Sequence, residues 1–481
     1  MTFRFDNSWL RDLPGTFVRV APDPAPAPEL VVLNRPLALD LGLDAGLLAR
    51  EGAGWFSGAA LPPGADPAAL AYAGHQFGGF SPVLGDGRAH LLGEFLTPDG
   101  RRFDLQLKGS GRTPFSRGGD GKAVLGPMLR EFLISEAMAA LGVPTTRSLA
   151  VTLTGETVIR DGRRRRGAVL ARLAASHIRI GSFQFLSARG DGDGLLALAE
   201  YAIARHYPEL AGREVPGLAF FDAVVARQAR LVAQWMGLGF IHGVMNTDNM
   251  AISGETIDYG PCAFMEGFAP GTVFSSIDRQ GRYAWANQPL ILGWNLARLA
   301  ETLLPLFDPD GAKAVDLANR RLEGVAALYR AEWLGVMGGK LGLAAPNPQD
   351  GALVDDLLAA LPGVDWTLAF HHLARAAEGD EAPLRGLFAG SPAADFTAMA
   401  AWLPRWRARL DAGSAARMAA VNPAVIARNH RVEAALEAAE AGDMAPFEAL
   451  WAALRQPFVE NPEFMAPAPA DFGPYMTFCG T

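Results

Sequence analysis

The chain has 481 residues; half are hydrophobic, a fifth are charged, and 43 basic against 51 acidic residues give a formal net charge of −8. At roughly 150 residues per domain, this length implies about three domains, and the hydrophobic fraction excludes a mostly disordered protein. The acidic balance argues against a protein that coats nucleic acid, so we expect no nucleic-acid partner.

The cysteine count and the apolar segments bear on the compartment. Two cysteines, Cys262 and Cys479, are too few for a disulfide framework or a four-thiolate zinc site. The N-terminus has no apolar segment typical of a signal peptide, and charges or glycines interrupt every apolar stretch. We therefore expect a cytoplasmic protein without a membrane partner.

The first half of the chain is predicted to be rich in strands. The proline-rich segment 22–28 predicts a stiff connector that follows an N-terminal arm. Strands at 89–96 and 102–108 flank Asp99-Gly100, a dipeptide favoured in hairpin turns. The glycine-rich segment 109–122 predicts a loop.

A helix should follow this loop. Apolar residues at helical spacing predict a helix over 124–141, which Gly142 and Pro144 would end. Two more strands are predicted at 156–160 and 167–173, with the four arginines 163–166 in a solvated turn between them.

The second half of the chain is predicted to be mainly helical. Helices are expected at 195–207 and 218–238, and again over nearly all of the chain after about residue 288. Residues 457–481 are rich in proline and aromatic residues and lack clear periodicity, which is typical of a tail that is either laid over the body or mobile.

This order of elements predicts an α+β protein with two lobes, the layout of a protein kinase, with an N-terminal arm and a helical C-terminal extension. The predicted regions are an N-terminal extension (1–66), a strand-rich N-lobe (67–180), a C-lobe (181–310), a helical region (311–456) and a tail (457–481).

The strand-rich lobe contains candidates for three kinase parts. Gly85, Gly87 and Arg88 form a candidate phosphate-binding loop, although a Gly-x-Gly between strands is commonly an ordinary tight turn. Lys108 is the candidate strand lysine, and Glu131 is its candidate helix partner. Taken singly, such a lysine is usually a solvated strand end and such a glutamate an exposed helix residue.

The second lobe carries the sharper signal. The kinase pattern H-R-D-L-x-x-x-N separates His and Asn by seven residues, as His242 and Asn249 are separated here. Asp258-Tyr259-Gly260 follows in the place of the kinase Asp-Phe-Gly. An amide oxygen from Asn249 and a carboxylate from Asp258 suit Mg²⁺ that bridges phosphates.

One kinase part is missing. Val244 occupies the position of the kinase catalytic aspartate and cannot accept a proton. The nearest carboxylate is Asp248, beside the candidate metal ligand. Either the protein is catalytically inactive, or the reacting phosphorus lies elsewhere and Asp248 is the base.

Further residues could contact phosphates. Asp120 and Gly121 belong to a glycine-rich loop just ahead of the predicted helix, and Arg172 and Arg179 lie at and beyond the end of a predicted strand. Guanidinium groups bind phosphate in bidentate fashion, whereas a single surface arginine is ordinarily a weak ion pair.

Several long motifs together identify a resemblance that covers essentially the whole chain. The sequence resembles the selenoprotein O family, the kinase-like protein AMP-transferases. The motifs that carry the resemblance are F-D-N-S-W (5–9), Y-A-G-H-Q-F-G-G-F (72–80), L-G-D-G-R (84–88), L-K-G-S-G-R-T-P-F-S-R-G-G-D-G (107–121), H-G-V-M-N-T-D-N-M (242–250) and I-D-Y-G-P-C-A-F (257–264).

The resemblance implies a pseudokinase that binds ATP in the reverse orientation and transfers AMP to a Ser, Thr or Tyr hydroxyl of a protein substrate, with Mg²⁺ or Mn²⁺. It also implies that UTP could be used for UMP transfer. Asp248 is then the proton acceptor, Asn249 and Asp258 are the metal ligands, and Glu131 is the partner of the lysine. The implied nucleotide contacts are Gly85, Gly87, Arg88, Lys108, Asp120, Gly121, Arg172 and Arg179.

The C-terminus departs from the family pattern. Many relatives end in Cys-Ser-Ser or selenocysteine-Ser-Ser, whereas this chain ends in Cys479-Gly480-Thr481. A regulatory disulfide between Cys479 and Cys262 is one hypothesis, and an inert terminal thiol is the other.

Two alternatives to AMP transfer stay open from the sequence. A conventional protein or small-molecule kinase would transfer the γ-phosphate of ATP, which Val244 argues against. A non-catalytic, redox-regulated nucleotide-binding protein would transfer nothing.

Overall fold

The computed structural model describes residues 2–160, 162–391 and 396–478. Cys479 and the two residues after it lie outside the described residues. The strands are β1 (Phe17–Arg19), β2 (Glu29–Leu33), β3 (Ala68–Leu70), β4 (Gly74–Gln76), β5 (Gly79–Ser81), β6 (Ala89–Leu96), β7 (Arg102–Lys108), β8 (Ala123–Val124), β9 (Arg147–Arg160), β10 (Arg163–Ala174), β11 (Phe240–Ile241) and β12 (Ala263–Phe264).

The helices fall mainly in the second half of the chain. They are α1 (Ser8–Asp12), α2 (Arg35–Asp40), α3 (Ala45–Ser57), α4 (Leu125–Ala140), α5 (Ile180–Ser187), α6 (Gly192–His206), α7 (Pro216–Leu238), α8 (Gln288–Phe307), α9 (Gly311–Glu323), α10 (Val325–Lys340), α11 (Asp350–Ala360), α12 (Trp366–Ala377), α13 (Ala382–Ala389), α14 (Phe396–Arg407), α15 (Ser414–Val421), α16 (Asn429–Glu440), α17 (Ala445–Leu454) and α18 (Pro462–Met465).

One antiparallel sheet organises the first 174 residues. Its strand order is β1-β3-β6-β7-β10-β9-β2, and β8 pairs with β10. The strands β1 and β2 come from the predicted N-terminal extension and close the two ends of this order. Two short pairs lie apart from the sheet, β4 with β5 and β11 with β12. The prediction of a mixed fold, with a strand-rich part followed by a helix-rich part, is confirmed.

Alternation along β7 separates the apolar and polar faces of the sheet. Leu105 and Leu107 belong to the same buried cluster as Trp55 and Phe56 of α3. Because successive side chains in a strand point to opposite faces, Gln106 and Lys108 point to the other face, where α4 lies. The polar side chains of β7 therefore lie on the face of the sheet that α4 covers.

Local patterns predicted the hairpin and the helix well. The strands β6 and β7 pair on either side of Asp99-Gly100, with Leu96 opposite Arg102. The helix α4 runs over Leu125–Ala140, within one residue of its predicted ends.

The prediction of a turn at the four arginines was wrong, although Arg163 and Arg164 are exposed to solvent as expected. Arg163–Arg166 form the start of β10, and they pair in register with Arg160, Ile159, Val158 and Thr157 of β9. The β9–β10 hairpin extends beyond the part of β10 that pairs with β7. It can do so because backbone hydrogen bonds between two strands do not require apolar side chains.

Helices enclose the other face of the sheet and continue into one core. The helix α10 packs against α7, and both α16 and α17 pack against α4. Phe132 of α4 contacts Phe447 and Trp451 of α17, with ring centroids 5.9 and 5.0 Å apart. The C-terminal region therefore contacts the helix that covers the sheet.

The described part of the tail lies on the body. The backbone amide of Thr477 donates to the carbonyl of Phe274 at 2.7 Å, and the amide of Ser276 donates to the carbonyl of Thr477 at 3.0 Å. Of the two sequence interpretations of the tail, the structure supports the one in which it is laid over the protein.

One segment has the length and composition of a membrane span. Trp285–Phe307, with a mean hydropathy of 1.2, passes this test among the described residues, and half of it is buried inside the protein. A core helix of a soluble protein has the same properties, so the segment is weak support for a membrane protein.

Candidate functional site

A buried cluster of charges lies between β7, β10 and α4. Lys108, the last residue of β7, donates from Nζ to Oε2 of Glu131 at 2.6 Å and to Oδ1 of Asp258 at 2.7 Å. Glu131 lies in the second turn of α4 and is 3% exposed. The lysine, its helix partner and the aspartate of Asp258-Tyr259-Gly260 are therefore in direct contact.

Two arginines complete the cluster. Arg172 of β10 donates from Nη1 to Asp258 Oδ1 at 2.6 Å and to Glu131 Oε1 at 3.2 Å. Arg179, at the start of α5, donates from Nη1 to Asp258 Oδ2 at 2.7 Å. Both arginines are at most 3% exposed. Three cationic groups thus surround one carboxylate in the protein interior.

The electrostatics of Asp258 follow from these neighbours. Burial by itself raises the pKa of Asp258, but the positive charges of Lys108, Arg172 and Arg179 outweigh it and hold the pKa well below its ordinary value. Its backbone has φ of 63°, in the left-handed region that residues other than glycine rarely adopt. Such strain persists where the surrounding contacts determine the conformation, as these ion pairs do.

Asp86 also belongs to this site, although sequence reasoning did not select it. It is 3% exposed and accepts hydrogen bonds from Gln106 Nε2 at 2.9 Å and from the Leu70 amide at 3.1 Å. Arg179 lies 3.8 Å away, yet burial raises the pKa of Asp86. Its position between Gly85 and Gly87 of the candidate loop is the sequence feature that could have identified it.

The candidate phosphate loop is closely packed. At Gly85, φ is +61°, and a Cβ atom would lie 2.3 Å from the ring of Phe115, so only glycine fits. The carbonyl of Gly87 accepts from the Ser116 hydroxyl at 2.5 Å. Arg88 follows directly, and its carbonyl accepts from the amide of Gly109.

The second glycine-rich loop lies nearer the surface. Gly121 has φ of +69°, and a Cβ atom there would lie 2.0 Å from the carbonyl oxygen of Gly111. Asp120 is 48% exposed at its side chain and pairs with Arg160 at 2.7 Å. No hydrogen bond joins Asp120 to Lys108, Arg172 or Arg179 among the described residues, so the structure does not bring it into the buried cluster.

The candidate catalytic loop contains a single 3₁₀ turn at Thr247–Asn249. Within it, Asp248 is 6% exposed and accepts a hydrogen bond from Gln76 Nε2 at 3.1 Å. Burial raises the pKa of Asp248 to about 6. Arg179 Nη1 donates to the backbone carbonyl of Asp248 at 2.7 Å, which connects this loop to the charge cluster.

The donor set at this site fits a magnesium or manganese ion. Asn249 donates from Nδ2 to the carbonyl of Val244 at 2.9 Å, which leaves its amide oxygen as a possible ligand. The low pKa of Asp258 keeps its carboxylate ionised. The described residues contain no group of three or more His, Cys, Asp or Glu side chains arranged for a metal. Two protein oxygens suit Mg²⁺, which usually completes its shell with water and substrate phosphates.

The remaining residues of the motif are structural. His242 is fully buried, stacks on Trp235 at 5.2 Å and lies within hydrogen-bond distance of the Ile257 carbonyl. Tyr259 is also fully buried, and its hydroxyl is hydrogen-bonded to Thr145. Residue 244, the position that the kinase motif assigns to the catalytic aspartate, is a valine.

Cys262 is a buried thiol. It is fully buried, its Sγ donates to the Tyr259 carbonyl at 3.3 Å, and burial raises its pKa to about 12. Thr477 Oγ1 donates to the carbonyl of Pro261, so the tail passes near this residue. Cys479 lies outside the described residues, and the disulfide stays a prediction.

Comparison with known proteins places these residues in a family. The family model described as protein adenylyltransferase SelO matches residues 1–455. Proteins named protein nucleotidyltransferase YdiU are 62% identical in Cereibacter sphaeroides, 56% in Methylorubrum populi and 54% in Mycolicibacterium paratuberculosis. Each alignment covers all of this chain and at least 99% of the relative. The predicted family and the prediction of an enzyme are both confirmed: the chain belongs to the SelO family of protein adenylyltransferases.

Proposed function

We propose that this protein transfers AMP from ATP to the hydroxyl of a Ser, Thr or Tyr residue in a protein substrate. The observation that carries the proposal is the buried cluster in which Lys108, Arg172 and Arg179 surround Asp258, beside a loop that has Asp248 but no carboxylate at residue 244. The family description and the names of the relatives support nucleotidyl transfer.

The depth of the cations supports a reversed nucleotide. Three cationic side chains, each 8% exposed or less, meet at Asp258, and we propose that the γ- and β-phosphates bind beside them. Adenine is neutral and cannot form ion pairs with these cations, whereas phosphate oxygens are the preferred partners of guanidinium groups. The α-phosphate then faces the acceptor hydroxyl.

The reaction follows from this orientation. The acceptor oxygen attacks the α-phosphorus, a new oxygen–phosphorus bond forms, and the bond to the bridging oxygen of the β-phosphate breaks, so that pyrophosphate leaves. Asp248 accepts the hydroxyl proton, a role that a valine at residue 244 could not fill. Lys108, Arg172 and Arg179 stabilise the charge on the leaving phosphates.

Asn249 and Asp258 would hold a divalent cation, Mg²⁺ or Mn²⁺. When bound, this cation supplies positive charge to the phosphates of the nucleotide. UTP with Mn²⁺ is a second candidate donor, and UMP would then be transferred by the same groups.

The proposal includes a kinase-like arrangement of two lobes. We assign β3–β10 and α4 to the first lobe (67–180) and α5–α8 to the second (181–310). The N-terminal extension (1–66), the helical region (311–456) and the tail (457–481) are the other predicted regions. The contacts of Lys108 with Glu131 and Asp258 support this arrangement, because they join the same three parts as in a kinase. We place the enzyme in the cytoplasm, with ATP and proteins as its partners.

Label transfer from ATP tests the proposal. Wild-type protein incubated with a bacterial lysate, Mg²⁺ and ATP labelled at the α-phosphate should label protein, and ATP labelled at the γ-phosphate should not. Asp248→Ala and Asp258→Ala should each reduce labelling at least about a hundredfold, as expected when a base or a group that holds the nucleotide charge is lost. Asp193→Ala, at an exposed position of α6, is the matched control and should label normally.

The rivals give different results in the same experiment. A conventional kinase would transfer the γ-label, and a non-catalytic nucleotide-binding protein would transfer neither. Full α-labelling by Asp248→Ala or Asp258→Ala would contradict the roles assigned here.

A further inference from the structure

The hairpin formed by β4 and β5 (residues 74–81) lies directly on the catalytic loop. Three consecutive hairpin residues contact three consecutive loop residues. The His75 amide donates to Thr247 Oγ1 at 2.7 Å, Gln76 Nε2 donates to Asp248 Oδ2 at 3.1 Å, and the Phe77 amide donates to Asn246 Oδ1 at 3.1 Å. The hairpin thus contacts the loop at Asn246 and at the first two residues of its 3₁₀ turn, Thr247 and Asp248.

A closed ring of hydrogen bonds fixes this contact. The hydroxyl of Thr247 accepts from the His75 amide and donates to Gln184 Oε1 at 2.6 Å. Gln184 Nε2 in turn lies 2.8 Å from His75 Nδ1. Because Gln184 belongs to α5, the hairpin, the loop and the helix are joined at one point.

The two oxygens of Asp248 have different surroundings. Oδ2 accepts the hydrogen bond from Gln76. Oδ1 is buried and has no hydrogen-bond partner among the described residues. On the hairpin side, a Cβ atom at Gly74 would lie 2.5 Å from Oδ1, so the backbone of β4 limits where the carboxylate can move.

We propose that Gln76 is a positioning residue for Asp248. This inference rests on the proposed function, in which Asp248 accepts the proton of the incoming hydroxyl. By donating to Oδ2, the amide of Gln76 fixes the plane of the Asp248 carboxylate, while the backbone of β4 limits the movement of Oδ1. Gly74 keeps this geometry by providing space that no other residue type would leave.

The test compares Gln76→Ala and Gln76→Glu with wild type in the α-label assay. Because Gln76 donates a hydrogen bond to a charged group, its loss should lower kcat about ten- to hundredfold. The KM for ATP should change less than about threefold. Gln76→Glu keeps the shape of the side chain but removes the donor, so it should lose at least as much as Gln76→Ala. The matched control is Gln349→Ala, an exposed glutamine in the C-terminal helical region.

A double-mutant cycle separates positioning from a purely structural role. In an Asp248→Asn background, measured by long single-turnover reactions, Gln76→Ala should cause no further loss, because the residue it acts through is already absent. An equal loss in both backgrounds would overturn the inference. So would wild-type kcat in Gln76→Ala or Gln76→Glu.

Two further measurements distinguish the possible failures. The melting temperatures of the Gln76 variants, with and without ATP and Mg²⁺, should match wild type within about 2 °C, which excludes unfolding as the cause of the loss. If wild type transfers no α-label, or if Asp258→Ala keeps it, the proposed function itself fails. If Asp258→Ala is inactive but Gln76→Ala is normal, only the present inference fails.

Discussion

At the scale of single residues, the carboxylates of the site form ion pairs with its cationic side chains. Glu131 and Asp258 each accept hydrogen bonds from Lys108 and from Arg172. Buried ion pairs contribute little net stability, because removing both charges from water costs about as much as their attraction returns. The cluster therefore contributes little net free energy to folding, although removal of a single partner would leave an uncompensated buried charge.

A buried lysine lies outside this cluster, in the C-terminal helical region. Lys340, at the end of α10, is 4% exposed, and its Nζ donates to Asn422 Oδ1 at 2.9 Å and lies 4.3 Å from the ring centre of Phe370. No carboxylate pairs with it among the described residues, and burial lowers its pKa to about 7. This lysine therefore links the stability of the C-terminal helices to pH.

The sign of this linkage can be predicted. Between about pH 7 and the unfolded pKa of about 10.4, the unfolded chain binds a proton that the folded chain lacks, so the free energy of unfolding rises with pH. Below pH 7 both states are protonated, and the penalty for the buried charge is constant. Relative to Lys340→Met, wild type should gain at most about 1.4 kcal/mol per pH unit in this window. Urea denaturation of both proteins at several pH values measures it, and parallel curves would contradict the prediction.

At the scale of elements, α4 is held from two sides. Its Glu131 faces the sheet, and its opposite side contacts the C-terminal helices. The backbone amide of Gly126, in the first turn of α4, donates to Glu440 Oε1 at 2.9 Å, and an acidic group at this end of a helix is favourable. The C-terminal region thus helps to determine where Glu131 lies.

Removing a large side chain from the interface between α17 and α4 should destabilise the protein. Phe447 is fully buried against Phe132, so Phe447→Ala should lower the free energy of unfolding by about 3–5 kcal/mol. Leu290→Ala, at a residue of α8 that is 71% exposed, should change it by less than about 0.5 kcal/mol. Thermal or urea unfolding compares the two variants. Equal stabilities would show that α17 does not pack as described.

At the scale of the whole molecule, the apolar core runs through both parts. One cluster of buried residues extends from Trp9 near the N-terminus, through α4 and α7, to Phe464 near the tail. The predicted regions therefore share a core, and contacts between distant parts of the chain hold the site together.

A shared core implies that the helical region cannot be removed. A chain that ends at residue 310 would expose the faces of α4 and α7 that α10, α16 and α17 cover. We expect this fragment to aggregate or to lose its near-ultraviolet circular dichroism, since large exposed apolar patches favour association. Size-exclusion chromatography beside the full-length chain tests this, and a monomeric fragment that melts cooperatively would contradict it.

The sequence by itself determined the local elements and the chemical parts of the site. The hairpin at Asp99-Gly100 and the helix α4 depend on turn preference and on helical periodicity, which act over a few residues. The residue types that surround Asp258 could also be selected in advance, because their spacing matches a known order of motifs. Local pattern failed at the four arginines of β10, where pairing with β9 overrides their polarity.

Only the tertiary structure decided which residues meet. Gln76 and Asp248 are 172 positions apart, and Gly126 and Glu440 are 314 apart, so no local pattern reports either contact. The burial of Asp86 and the exposure of Asp120 likewise depend on how their loops pack in the folded protein. Hydrogen bonds and ion pairs of this kind form only after the core has brought distant segments together. The sequence therefore selects candidate residues, and the fold decides which of them meet.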